Sequence, residues 1–243
     1  PPRGVLNVGV WGCGKSTAVK VLGQLWKLPV IHLEMGRIRH SHVGQSERNM
    51  YEALQTLDQI GKCLVWVDEA EKSFSGSDSS GTSDAGTTSR MIGILSTWIQ
   101  ETKSPVCLAL TANSVTGLPI EFINRMNERF FFDLPSEEER IEIVKIHIRK
   151  AGQDPARHQL VEAAQAAIDL VGREIEQCIE HAMIKSFHAD KNGLDPDILL
   201  KALRDKPRIV QTMSKEIQAL RAWVGEDPER KDGIRARWAS ERE

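Results

Sequence analysis

The stretch Val5-Leu6-Asn7-Val8-Gly9-Val10-Trp11-Gly12-Cys13-Gly14-Lys15-Ser16-Thr17 narrows the choice of folds more than any other in this chain. An apolar run breaks into three closely spaced glycines, and Lys15-Ser16 follows at once. Gly9 to Ser16 fits G-x-x-x-x-G-K-[ST], a pattern that works as strand, tight loop and helix in succession. Gly9, Gly12 and Gly14 permit backbone angles and close approach that side chains would block. Their N–H groups can then line an anion nest at a helix N-terminus. Lys15 is placed to reach the β- and γ-phosphates of a nucleotide, and the Ser16 hydroxyl to ligate Mg²⁺.

A second stretch agrees. Cys63-Leu64-Val65-Trp66-Val67 is an apolar run that ends in Asp68-Glu69, which describes a strand buried on both faces with carboxylates at its C-terminal edge. Ligands bind at that edge in open α/β sheets. Asp68 is expected to hold Mg²⁺ through water and Glu69 to activate the water that attacks the γ-phosphate. Val106-Cys107-Leu108-Ala109-Leu110-Thr111-Ala112 is another buried strand. Its end places Asn113 at the same edge, where an amide can position that water.

Around these strands the chain reads as alternating elements. Ser16 to Trp26 carries Val19, Leu22 and Trp26 on one face, and Leu28 to Leu33 is a short strand with His32 as an ordinary strand residue. Ser46 to Ile60 is a helix with Ser46 as N-cap and Met50, Leu54 and Leu57 as its apolar stripe. Ser73 to Ser89 is nearly all Ser, Gly, Thr and Asp, and predicts a flexible loop. Helices over Arg90–Thr102 and Pro119–Arg125 and a fifth strand over Arg129–Leu134 complete a large domain, residues 1–135. Ser136 and Glu139 then form a capping box. From there the pattern is helical through 206, a small domain, with 207–243 as a C-terminal helix and charged tail.

The 243 residues can bury a substantial core, and a net charge of −2 gives no basic excess of the kind that marks a dedicated nucleic-acid binder. The four cysteines are scattered without a C-x-x-C pair, so they read as reduced thiols and not as metal ligands or disulfides. No apolar run is long enough to span a membrane, and no signal peptide is evident. The first strand opens at Val5, which suggests a fragment of a longer chain.

The P-loop, the Asp-Glu strand end, the polar strand end and a small helical domain together resemble the AAA family of ring-forming ATPases. The likeness is greatest to stand-alone cyanobacterial and plastid members named for a hypothetical chloroplast reading frame. It is carried by Val43-Gly44-Gln45-Ser46-Glu47, Trp66-Val67-Asp68-Glu69, Thr88-Ser89-Arg90, Phe131-Phe132-Asp133-Leu134-Pro135, Glu174-Ile175-Glu176-Gln177 and Gly233-Ile234-Arg235-Ala236-Arg237. The resemblance implies an α/β fold, a five-stranded parallel P-loop domain followed by an all-helical lid. It makes Gly12 to Thr17, with Gly9, Cys13, Gly14, Lys15 and Ser16 among the ATP-binding residues, the Walker A segment. Asp68 and Glu69 become the Walker B pair and Asn113 the first sensor. Arg125, or alternatively Arg129, falls where the family places an arginine finger for the neighbouring subunit's γ-phosphate. Arg173 stands where other branches of the superfamily put a second phosphate sensor. His42-Val43-Gly44 aligns with the pore loop, with His42 in place of the usual aromatic residue.

The resemblance further implies Mg-dependent ATP hydrolysis in a homo-oligomeric ring, a hexamer by family habit, that remodels a protein client. The expected setting is cytoplasm or plastid stroma, without membrane attachment. Two other classes are open at this point: a nucleic-acid-associated ATPase, in which Arg37, Arg39, His40 and His42 track a phosphate backbone, and a nucleotide-gated interaction protein.

Overall fold

The computed structural model describes residues 2–38, 44–74, 84–224 and 237–238. They fall into two compact units, one of Pro1–Gly9, Lys15–Phe132 and Leu220–Glu243, the other of Val10–Gly14 and Asp133–Ala219.

The first unit is a parallel sheet with helices on both faces. Its strands are β1 (Gly4–Gly9), β2 (Val30–His32), β3 (Cys63–Val67), β4 (Val106–Ala112), β5 (Glu128–Phe132) and β6 (Arg237–Trp238), in the order β2-β3-β4-β1-β5-β6. Every neighbouring pair is parallel. β1, β3 and β4 are buried along their whole length, which is why they read as unbroken apolar runs. Side chains alternate between faces. Leu6, Val8, Val65, Val67, Leu108 and Leu110 enter one cluster, and Val5, Leu64, Trp66, Cys107 and Ala109 enter another.

Six helices cover this sheet: α1 (Lys15–Trp26), α2 (Met35–Ile38), α3 (Gln45–Ile60), α4 (Ala70–Phe74), α5 (Asp84–Glu101) and α6 (Ile120–Arg125). α1 lays Val19 on the second cluster, whereas α3 gives Met50, Leu54 and Leu57, and α5 gives Met91, Leu95 and Ile99, to the first. Leu220 and Val224 join that same first cluster. Burial pushes the Cys107 thiol up to about 11, so it stays an uncharged core residue.

Several expectations are corrected here. Ser46 does not cap α3; Gly44, in the left-handed region at φ 79°, occupies that position, and Ser46 is fully buried one step inside the helix. The polar stretch 73–89 is not all loop. Ser73 lies in α4, and α5 begins at Asp84, with only 75–83 outside the described residues. Tertiary contact overrides weak propensity there: Thr88 is buried, and Arg90 Nε sits 2.6 Å from Glu47 Oε1 of α3. The short strand is Val30–His32, with His32 stacked on Trp66 at 4.5 Å between ring centroids. A sixth, two-residue strand extends the five expected, pairing Phe131 with Trp238.

The second unit is helical: α7 (Glu137–Lys150), a 3-10 turn (Pro155–Arg157), α8 (Leu160–Ala166), α9 (Gly172–His188), α10 (Pro196–Asp205), α11 (Ile209–Thr212) and the start of α12 (Ser214–Val224). The expected capping box is present, with Ser136 Oγ accepting from the Glu139 N–H at 3.3 Å and Glu139 Oε2 from the Ser136 N–H at 2.8 Å. Asp195 caps α10 ahead of Pro196. Val144, Ile148, Ala163, Ala167, Ile175, Ile179, Ala182, Leu199 and Leu203 form the core.

Two arginines finish it. Arg140 is buried and donates from Nε to the Ala164 carbonyl and from Nη1 to the Pro135 carbonyl, both at 2.8 Å. Arg208 Nη2 donates to the Ala166 carbonyl at 2.8 Å. Ala164 and Ala166 lie in the last turn of α8, where the helix itself leaves carbonyls unpaired. Residues 207–219, expected to stand apart with the C-terminal tail, group with this unit, and Leu220 onward groups with the first.

Candidate nucleotide-binding site

The site begins where β1 stops. Gly9 has φ 150°, and a Cβ there would lie 2.0 Å from the Phe132 carbonyl oxygen, so no other residue fits beside β5. In the second unit, Gly12 has φ 71°, and its carbonyl accepts the Arg173 N–H at 3.2 Å. A Cβ on Gly12 would meet Val171 Cγ2 at 2.8 Å.

In the first unit α1 starts at Lys15. Its stem is buried, and Nζ donates to the Gly9 carbonyl at 2.9 Å. Asn7 Nδ2 donates to the Lys15 carbonyl at 3.4 Å, tying the helix start to the middle of β1.

The ends of β3 and β4 supply the acids and their partners. Ser16 Oγ donates to Asp68 Oδ1 at 3.1 Å, which joins the two sequence motifs across 52 positions. Thr111 also donates to Asp68 Oδ1. The Glu69 N–H donates to Thr111 Oγ1 at 3.3 Å, and Trp66 Nε1 does so at 3.4 Å. Glu69 itself sits at φ 48°, a left-handed conformation uncommon outside glycine. Lys72 Nζ lies 2.8 Å from Glu69 Oε1, a contact that raises the lysine above its ordinary value. Asn113 Nδ2 reaches Glu69 Oε1 at 3.5 Å and Glu71 Oε1 at 3.2 Å.

These groups fit a magnesium nucleotide. Mg²⁺ takes one or two protein oxygens and completes its octahedron with water and phosphate. Ser16 Oγ fits as a direct ligand and Asp68 Oδ1 as one reached through water. Among the described residues no group of three or more His, Cys, Asp and Glu side chains is assembled to hold a metal alone, so the nucleotide would supply the remaining oxygens.

Arg125 and Arg129 have partners of their own. Arg125, at the end of α6, bonds to Ser96 Oγ of α5. Gln100, with its amide oxygen turned toward the guanidinium, accepts from Nη2 at 3.0 Å and Nε at 2.6 Å. Arg129 Nε donates to the Ile123 carbonyl at 3.1 Å, and burial draws its guanidinium below the usual value. Arg173 is exposed in the first turn of α9. Gly44 stands at the start of α3, while His42 and Val43, like Arg39 and His40, lie outside the described residues. Thr111, Trp66, Lys72 and Glu71 are the participants that sequence reasoning passed over. For Thr111 a signal existed: it lies on a strand of the sheet's centre, two residues before Asn113.

Comparison with known proteins gives the family. The family described as "ATPase family associated with various cellular activities (AAA)" matches residues 5–134. The "Uncharacterized AAA domain-containing protein ycf46" of Pyropia yezoensis is 35% identical over 228 residues, covering 93% of this chain and 46% of the relative. Its namesake in Trieres chinensis is 36% identical over 226 residues, covering 92% and 45%. A more distant likeness, 24% identical over 208 residues, is to the "26S proteasome subunit RPT4" of Saccharomyces cerevisiae, covering 84% of this chain and 47% of that one. The chain thus spans less than half the length of each of these relatives.

Proposed function

The chain belongs to the AAA family of ATPases, and from that premise we propose that it hydrolyses Mg·ATP with Glu69 as general base and uses the resulting motion to remodel a bound protein. The observation that carries the reading is the 3.1 Å contact between Ser16 and Asp68, which brings the start of α1 and the acidic strand end together.

Lys15 would neutralise β- and γ-phosphate charge, and the N–H groups of Gly12, Cys13, Gly14 and Thr17 would cradle the oxygens. Ser16 and Asp68 would hold Mg²⁺, which when bound offsets charge on the phosphates. Glu69 accepts the proton of the attacking water, and Asn113, within reach of Glu69, orients it. Lys72 Nζ donates to Glu69 Oε1, which leaves Glu69 Oε2 for the proton of the attacking water.

Arg125 of a neighbouring copy is proposed as the finger, with Arg129 as the substitute and Arg173 as a second phosphate contact. As a finger Arg125 would exchange Ser96 and Gln100 for the neighbour's γ-phosphate, a planar guanidinium matching either set of oxygens. A ring of identical subunits follows from such a head-to-tail contact when the rotation closes. One relative is named as a subunit of the 26S proteasome, which supports assembly. The ycf46 relatives support a setting in the plastid. No described helix is long and apolar enough to cross a membrane.

The test is ATPase rate against protein concentration, with Arg125→Ala in parallel. Specific activity that climbs with concentration and collapses in Arg125→Ala fits a shared site. Flat specific activity with a normal Arg125→Ala variant refutes the shared site and the ring-motor reading with it.

A further inference from the structure

We propose that Thr111 is a positioning residue that sets both acids of the site, with the Trp66 indole fixing the direction of its hydroxyl. A threonine hydroxyl has one proton to give and two lone pairs to receive with. Here all three are used. The lone pairs accept Trp66 Nε1–H at 3.4 Å and the Glu69 N–H at 3.3 Å, and with both receiving sites filled, the proton goes to Asp68 Oδ1. The Val67 carbonyl, 3.5 Å away, is the more distant acceptor for this hydroxyl.

Strand register brings this about. Val67 pairs with Leu110, so Asp68, just past the end of β3, stands level with Thr111, the last but one residue of β4. Thr111 is 1% exposed and Trp66 8%, so neither bond competes with bulk water.

The consequence is asymmetric. Asp68 Oδ1 already receives Ser16 and Thr111, so its carboxylate plane is fixed before any metal arrives. The Glu69 backbone is held at φ 48° by the same oxygen, which sets the direction in which its carboxylate leaves the strand. Outer-shell bonds of this kind orient a metal ligand, and their removal commonly weakens metal affinity or activity by about 10–100-fold. The inference rests on the nucleotide-site reading above, and it assigns to one hydroxyl a role in both Mg²⁺ affinity and turnover.

The experiment compares Thr111→Val, Thr111→Ser and Trp66→Phe in the full chain. Binding of a fluorescent ATP analogue is titrated against Mg²⁺, and steady-state turnover is measured at saturating Mg²⁺. Thr111→Val is expected to need about 10–100-fold more Mg²⁺ for half-maximal nucleotide binding and to lower kcat with little change in KM. Thr111→Ser, which keeps the hydroxyl, restores both; Trp66→Phe shifts both in the same direction by less. Should Thr111→Val fail to fold, Thr111→Ser against Thr111→Ala isolates the hydroxyl.

Wild-type Mg²⁺ dependence and kcat in a folded variant lacking the hydroxyl would overturn the proposal. So would a loss that Thr111→Ser shares. The Mg²⁺ titration is read without hydrolysis, so it tests Thr111 even if the chain turns over no ATP. A chain that binds no nucleotide under any condition overturns the site reading, and this inference falls with it.

Discussion

Both units of this protein tie polar side chains into hydrogen-bond networks, and they use them in opposite ways. In the first unit, Thr111, Asp68, Glu69, Glu71 and Asn113 bond mainly to one another at the ends of β3 and β4. In the second, Arg140 and Arg208 bond to backbone carbonyls that α8 leaves over. One arrangement aims functional groups at a point in space. The other closes helix ends. Local stability and chemical readiness therefore reside in different parts of the chain, and a substitution should disturb one with little effect on the other.

Glu69→Gln should show this most sharply. Removing the general base is expected to lower kcat by about 10²–10⁴-fold, while ATP binding persists and the assembled ATP-bound state accumulates. Thermal unfolding should scarcely move, since Glu69 is half-exposed and its ion pair with Lys72 lies at the surface. Unchanged turnover would remove Glu69 from its role, and a large fall in Tm would break the contrast itself.

Arg140→Met is the converse. It leaves the Ala164 and Pro135 carbonyls without their guanidinium donor, at a cost of about 2–4 kcal/mol. Calorimetry should find Tm several degrees lower, with nucleotide affinity of the folded fraction unchanged. A variant with normal Tm would mean that water replaces the guanidinium.

The smallest effect is in pH. Burial draws His147 and His158 of the second unit below their ordinary value, against the opposing pull of Glu176 on the first and Asp154 on the second. Between that lowered value and about 6.5 the unfolded chain binds more protons than the folded one, so stability rises with pH in that window. It is fully present above about 6.5 and declines as pH falls through the folded value. Acidification from pH 7 to 5.5 should lower Tm by on the order of 1 °C, a fall that His158→Asn reduces.

The sequence was most legible where a pattern is local. Gly9 to Ser16 specifies its own strand, loop and helix, and the apolar run into Asp68-Glu69 specifies a buried strand edge. The Ser136–Glu139 capping box was readable for the same reason, because all its partners lie within one helical turn. For Thr111 the sequence offers only its place two residues before Asn113; its partners are set by the register of β3 on β4, which no window along β4 contains. Ser46 misleads because glycine is also tolerated at an N-cap, and here Gly44 takes that position without any side-chain bond. The start of α5 was hidden because composition reports what a segment can bury, not what its neighbours bury for it. The direct Ser16–Asp68 bond is not in either motif alone, because it spans 52 positions.

The left-handed backbone at Glu69 carries a consequence for anyone who evolves this protein in the laboratory. A glutamate in that conformation costs on the order of 1 kcal/mol, which glycine would recover and asparagine in part. A library sorted for heat resistance alone would thus be drawn toward position 69, and its fittest members would be the inert ones.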